Sequence, residues 1–255
     1  MSTPYLTALL YAPLASFGGL AVGERRVSER YPTRSQLIGL LGAALGVDRA
    51  DDDTQVALRD SYSFALQIFA AGTPGTDYHT VQAPSRGKIS FKTRRDELRD
   101  KQSLNTMLTS REYRFDFLAG LAITAKKDAP FPLNRLFTAL NTPHYTLSLG
   151  RKSCPLGLPL LPKIEEAETP QAALSALWNR IQQQKLVGER EKNPLITLLK
   201  TLKAKPGDVV LERAAFVDTA QPHQLVTMRD QPLSRRHWQF GTRDAVILTP
   251  SKVAS

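Results

Sequence analysis

Residues 148–159, SLGRKSCPLGLP, carry a glycine, two cations, a hydroxyl and the only cysteine of the chain in close succession. Three chemistries are open to such a stretch: phosphate binding, thiol reactivity, or a basic turn at the surface. A reactive thiol needs a lowered pKa, supplied by a neighbouring base or a helix N-terminus. Arg151 and Lys152 offer positive charge but no general base stands beside them, so Cys154 reads as a buried structural residue. Nucleotide hydrolysis is disfavoured too. The pattern G-x-x-x-x-G-K-[ST] is absent, and Gly150 to Ser153 lack the upstream glycine that would complete a phosphate loop. His79, His144, His223 and His237 stand far apart, without His-x-x-x-His or Cys-x-x-Cys spacing, so neither metal nor cofactor is expected.

Single-stranded nucleic acid remains. Its recognition needs cations along the phosphates and flat side chains against the bases, and three stretches offer both. GERRVSERYPTRS (23–35) sets four arginines around Tyr31, DYHTVQAPSRGK (77–88) mixes Tyr78 and His79 with cations, and TPHYTLSLGRKS (142–153) places Tyr145 ahead of Arg151 and Lys152. Cleavage without metal is the alternative. It takes a base for the 2′-hydroxyl, an acid for the leaving oxygen and cations on the phosphate; His79 or His144, with Tyr78 or Tyr145 and a lysine, could supply them. The charge balance agrees with a polyphosphate partner, since 34 Lys and Arg against 24 Asp and Glu leave a net +10. No apolar run approaches the ~20 residues of a membrane span, and no basic flank precedes the N-terminal apolar stretch, which argues against a signal peptide. One cysteine among 255 residues fits a reducing cytoplasm.

These stretches hang on a regular series of elements. YLTALLYAPL reads as a buried strand ended by Pro13, and TRSQLIGLLGAALGV as a helix capped by Thr33. Gly39, Gly42 and Gly46 suggest that this helix lies close to another backbone. DSYSFALQIFA alternates as a strand with one face buried. A polar, cation-bearing segment follows over 71–110, and order returns with the strand REYRFDFLAGLAI. A helix in PFPLNRLFTALNTP and a brief strand in HYTLSLG complete a β-α-β-β-α-β order, the ferredoxin-like arrangement. We therefore expect an α+β core over 1–155 with a basic arm inserted at 77–110. A smaller C-terminal α/β annex, 156–255, would pack on it, with helices at TPQAALSALWNRI and NPLITLLKTL and three strands beyond.

APLASFG, RYPTRSQLIGLLGAALGVDR, DYHTV, REYRFDFLAGLAI and YTLSLGRKSCPLGLPL, in that order, resemble the fifth-numbered Cas family of RAMP proteins, on the side of the CasD subunits of type I-E CRISPR Cascade complexes. The resemblance runs over residues ~5–160 and returns at MRDQP and RRHW. It implies an RRM-like RAMP fold whose arm is a thumb. It also implies a non-catalytic subunit that caps the 5′ handle of the crRNA and touches a CasC-type backbone subunit and a CasA-type large subunit, with target DNA met only through the complex. By motif, Arg25, Arg26, Arg34, Arg111, Tyr145, Arg151, Lys152 and Ser153 would hold the handle. Tyr78, His79, Arg86, Lys88 and Lys92 would meet RNA or a partner from the arm. Relatives in type I-C systems cleave the CRISPR transcript themselves, which keeps the endoribonuclease alternative in view.

Overall fold

The computed structural model describes residues 2–19, 21, 23–85, 91–99, 101–183, 194–215 and 222–250. One sheet runs through them, and its anchor is the pair formed by β1 (Thr3–Ala15) and β5 (Leu104–Ala125). β5 also pairs with β3 (Tyr62–Ala70), and β1 with the edge strand β6 (Lys163–Ala167), every contact antiparallel. The spatial order β6-β1-β5-β3 is joined in sequence by α1 (Arg34–Leu45) and α4 (Leu133–Asn141). The strand expected in HYTLSLG is not one: only an isolated bridge, Ser148 to Pro155, forms there. Its place at the sheet edge goes to Lys163–Ala167. Nor does Pro13 end β1. The strand passes through it, and the pairing with β5 steps from Ala12 to Leu14, which suits a residue with no N–H to donate.

Both faces of this sheet are covered. Leu6, Ala8 and Leu10 pack with Leu37, Ile38 and Leu41 of α1 and Leu136 and Leu140 of α4. Leu9 and Tyr11, pointing the other way, pack with Leu177 and Ile181 of α5 (Pro170–Gln183) and Leu195 and Leu199 of α6 (Pro194–Thr201). That is why β3 is buried on both faces rather than one. The C-terminal strands β7 (Val209–Glu212), β8 (His223–Ser234) and β9 (Gln239–Leu248) extend the same sheet beyond β3 in the order β7-β9-β8. The expected annex is thus a continuation of the core sheet. A short helix missing from the sequence reading, α2 (Asp52–Ser61), is capped by Asp51, whose carboxylate accepts from Thr54 N.

Residues 73–84 and 104–115 form a β-ribbon. β4 (Thr73–Pro84) pairs residue by residue with the first half of β5, from Thr73 against Phe115 to Pro84 against Leu104. A single-turn helix α3 (Arg94–Glu97) lies near the tip. The two-residue strand β2 (Arg25–Arg26) runs parallel along the other edge of β5 at Ser110–Arg111. Where ribbon meets core, Asp116 has φ 59, a left-handed conformation that Asp tolerates better than most residues. Tyr11 donates its hydroxyl to Asp116 Oδ1 at 3.0 Å, and burial, followed by that carboxylate, pushes the phenol up to about 12.

Arg34, carried over as an RNA contact, is a core residue with 7% of its surface exposed. Its guanidinium donates to Glu212 Oε1 at 2.8 Å, to Gln231 Oε1 at 2.7 Å and to the carbonyls of Arg59 and Tyr62. Its backbone N–H donates to Asp230 Oδ2, which also receives Arg243. With four of its five N–H donors engaged and the side chain buried, it is not placed to hold a phosphate. It ties the start of α1 to β7 and β8. Arg34→Met would strand Glu212 as a buried, unpaired carboxylate, so we expect a loss of roughly 3–5 kcal/mol, read as a lower urea midpoint with unchanged slope. The double variant Arg34→Met/Glu212→Leu should recover much of that loss.

Candidate nucleic-acid interface

The basic stretches meet at the base of the ribbon. Ser16, just past β1, holds the loop at 148–155: its N–H donates to Leu149 O at 3.1 Å, and Gly150 (φ 97) lies so near that a Cβ there would stand 1.7 Å from Ser16 O. The loop at 17–30 is tied to the same place. Phe17 N donates to Ser28 Oγ at 2.9 Å and Glu29 N to Phe17 O at 2.6 Å. Glu112 of β5 then accepts from Ser28 N and, at 2.6 Å, from Arg25 Nη2. The Arg25 side chain brings Glu112 well below the usual carboxylate range.

Pairing register sorts the arginines onto two faces. Arg25 shares the face of Ser110 and Glu112 and is neutralised there. Arg26 lies beside Arg111, and Tyr113 follows on the same side, two residues along. Arg151 reaches in from the adjoining loop and lays its guanidinium 4.6 Å from the centre of the Tyr113 ring. Asp77, across from Arg111, has its carboxylate 2.7 Å from His79 Nε2. Arg26, Arg111 and Arg151 have no ion-pair partner among the described residues, while Lys152 and Ser153 are exposed on the turn beside them. The face therefore presents three guanidiniums, one of them seated flat on the buried Tyr113 ring.

Other predicted residues fall elsewhere. Tyr145 is 52% exposed but sits with His144 at the opposite end of α1, where the two backbone N–H groups donate to Ala44 and Ala43. About eight residues of helix, roughly 12 Å, separate it from Gly150, so Tyr145 does not join the Arg151 loop. Tyr78 and His79, adjacent on β4, face opposite sides of the ribbon. Tyr78 is 64% exposed and Lys92 is exposed near the tip; Arg86 and Lys88 lie outside the described residues. The sequence reading missed Tyr113, whose place in an alternating strand gave no sign that Arg151 would cover it.

A protein-family model described as CRISPR-associated protein (Cas_Cas5) matches residues 5–246. The chain belongs to that family. It is 35% identical over 178 residues, 67% of this chain and 75% of the relative, to the CRISPR system Cascade subunit CasD of Escherichia coli (strain K12). A chain of a CRISPR RNA-guided surveillance complex shares its fold with a TM-score of 0.59 at 22% identity, over 95% of this chain and 90% of the other. So does a crystal structure of a Cas protein, with a TM-score of 0.52 at 21% identity, over 96% and 95%. Among the described residues no group of three or more His, Cys, Asp and Glu could hold a metal ion, and no helix is long and apolar enough to cross a membrane.

Cys154 is fully buried, and burial pushes its thiol up, against smaller lowering effects of Ser153 and Arg151. A thiol reagent at pH 8 should leave the native protein unlabelled and react with one equivalent per chain once guanidinium unfolds it. Prompt native labelling would contradict this. Gly150→Ala has no room against Ser16 O, so the loop must leave its seat. We expect Arg151 to lose Tyr113, visible as new protease sensitivity at 148–155, with the core melting transition little changed.

Proposed function

We propose that this chain is a non-catalytic subunit of a type I, Cascade-like RNA-guided surveillance complex, and that it binds the 5′ handle of the crRNA at the base of the ribbon. In this reading the strands β1, β3, β5 and β6 with α1 and α4 form the ferredoxin-like, RRM-like RAMP core, and the ribbon of β4 and the first half of β5 is its thumb. A CasC-type backbone subunit and a CasA-type large subunit are its neighbours. The observation that carries the reading is the convergence of Arg26, Arg111 and Arg151 on one face, each without an acidic partner among the described residues. Guanidiniums left unpaired, one of them held flat on a tyrosine, suit a single strand, whose phosphates need cations and whose bases can stack on a guanidinium plane. Lys152 and Ser153 add a fourth cation and a hydroxyl at the edge. The relationship to a Cascade subunit supports the assignment to such a complex.

The Asp77–His79 pair is the one arrangement that favours the endoribonuclease reading, because a carboxylate beside an imidazole is how a general base is oriented. Tyr78 does not complete it, since its side chain lies on the other face of the ribbon. Incubated with repeat RNA in chelator, the purified protein should leave the RNA intact. Product that disappears in His79→Ala would replace the binding reading with cleavage.

The binding reading has its own test. In the assembled complex, Arg26→Ala, Arg111→Ala and Arg151→Ala should each weaken retention of the guide RNA 5′ end and expose it to nuclease. Each should also flatten the dependence of log affinity on log salt by about 0.7, the share of one phosphate contact on a single strand. Arg25→Ala should change this slope far less, because Glu112 already holds that charge. Unchanged protection in all three variants would overturn the proposed site.

A further inference from the structure

A second cationic site lies at the other end of α1. Between α1, the turn after it and the β8–β9 hairpin is a cavity of about 330 Å3 lined by Gly39, Asp48, Arg49, Gln55, Tyr145 and Arg235, among others. Its floor is the glycine side of α1. A Cβ on Gly39 would stand 3.1 Å from both terminal nitrogens of Arg235, so the missing side chain is what lets that guanidinium lie on the helix. The sequence suggested a close-lying backbone here, and the neighbour is an arginine side chain.

Arg235 is held in place by donating to Ser35 O, while its Nε is buried with no hydrogen-bond partner. Arg49 donates through Nε and Nη2 to Arg235 O, both at 3.3 Å, and stacks 4.1 Å from the centre of the Trp238 ring. Neither guanidinium pairs with an acid among the described residues, and burial together with the nearby Arg49 pulls Arg235 down. Two guanidiniums without acidic partners thus border one hollow, Arg235 half-buried with an unpaired Nε and Arg49 exposed, and an anion there would meet both.

The remaining groups narrow the anion. Asp48 is exposed in the lining, with Oδ1 accepting from Ala50 N at 2.8 Å and no ion pair to occupy the rest of its carboxylate. Gln55 Oε1 is a second acceptor without a partner, its amide nitrogen being taken by Asp48 O. A bare anion would satisfy the arginines but leave Asp48 and Gln55 Oε1 without a donor. A ligand that is anionic at one end and a donor at the other satisfies both, and the half-exposed Tyr145 ring offers it a flat wall. The volume falls at the low end of small-molecule sites, about 300–1,000 Å3, room for one residue of a polymer rather than several.

We infer that this cavity binds a single nucleotide, its phosphate on Arg49 and Arg235, its base against Tyr145, and its hydroxyl or amino donors on Asp48. The nucleotide is either free or one residue of an RNA strand. The inference does not depend on the ribbon-base site, and Tyr145 serves this cavity rather than the Arg151 loop.

Trp238 beside Arg49 reports on the site. The other tryptophan, Trp178, packs against Phe69 on the opposite face of the sheet, so a Trp178→Phe protein isolates the signal. Titration of the full chain with adenosine 5′-monophosphate should saturate the Trp238 emission with a Kd of roughly 1 mM or tighter. Inorganic phosphate, adenosine and tetraglutamate should each bind at least tenfold more weakly. Arg49→Gln and Arg235→Gln should weaken the nucleotide at least tenfold, and Asp48→Asn should weaken the nucleotide without weakening phosphate. Arg49 is exposed, so its variant stays folded even if the Arg235 variant does not. Competition by a single-stranded RNA octamer identifies the ligand as one residue of a strand, and its absence identifies a free nucleotide. Equal affinity for phosphate, a preference for tetraglutamate, or no saturable signal would each overturn the inference. None of these readouts involves the assembled complex or Arg26, Arg111 and Arg151, so failure at the ribbon base leaves the test intact.

Discussion

Everything in this structure is arranged around one strand that must do two incompatible jobs. The second half of β5, from Phe117 to Ile123, is a fully buried core strand flanked by β1 and β3. Its first half leaves the core and becomes one side of a solvated ribbon, flanked by β4 and β2 instead. A continuous backbone carries orientation from one environment to the other, so the arm is aimed by the core. The adjustment is concentrated at Asp116, whose left-handed conformation changes the course of the strand and whose side chain is pinned by Tyr11. Gly72, also at positive φ, sits against Phe115 O on the facing strand, where a Cβ would come within 2.6 Å. Both sides of the ribbon bend at one level.

The same constraint explains how the charge is divided. A basic chain can spend its cations in two ways, and burial decides which. Arg34 with Glu212, Arg243 with Asp230 and Arg180 with Glu165 pair within or beside the core, where an unpaired guanidinium would carry a large desolvation cost. Arg25 is consumed by Glu112 to fasten the 17–30 loop. The arginines left over lie beside another arginine or over an aromatic ring, and the acid on that face, Asp77 across from Arg111, sits against His79. Net charge alone could not have separated the two groups, because it counts a structural Arg34 and an open Arg111 alike.

This is also where reading the sequence succeeded and where it stopped. Thr33 and Gln36 announce the start of α1, and both halves of the capping box are present, with Gly46 ending the helix at φ 78. Phe115 and Phe117 mark a strand because apolar contrast survives in them. The ribbon is legible in sequence only as a polar, cation-bearing arm: most of its length is solvated on both faces, so its few apolar residues do not alternate as those of a core strand do. HYTLSLG carries strand-like residues, but its first two N–H groups, of His144 and Tyr145, are taken by the Ala44 and Ala43 carbonyls of α1, which need partners as every helix end does. Arg34 was legible as a residue of the motif and not as a buried one, since its partner Glu212 lies 178 residues away. The convergence of Arg26, Arg111 and Arg151 likewise rests on register, which no local pattern encodes.

Helix α1 thereby acquires a role beyond packing. Its N-terminal turn reaches the ribbon base through Gln36, which donates to Ser16 O at 3.1 Å, the same carbonyl that Gly150 crowds. Its C-terminal turn holds His144 and Tyr145, and its glycine side seats Arg235. The segment 144–153 runs back along the helix from one end to the other, fixed at both ends by backbone hydrogen bonds. Two sets of unpaired guanidiniums are therefore held by one rigid element and one short segment of chain. Rotation or displacement of α1 would move both together, and the buried Arg34 network at its first turn is what resists that motion.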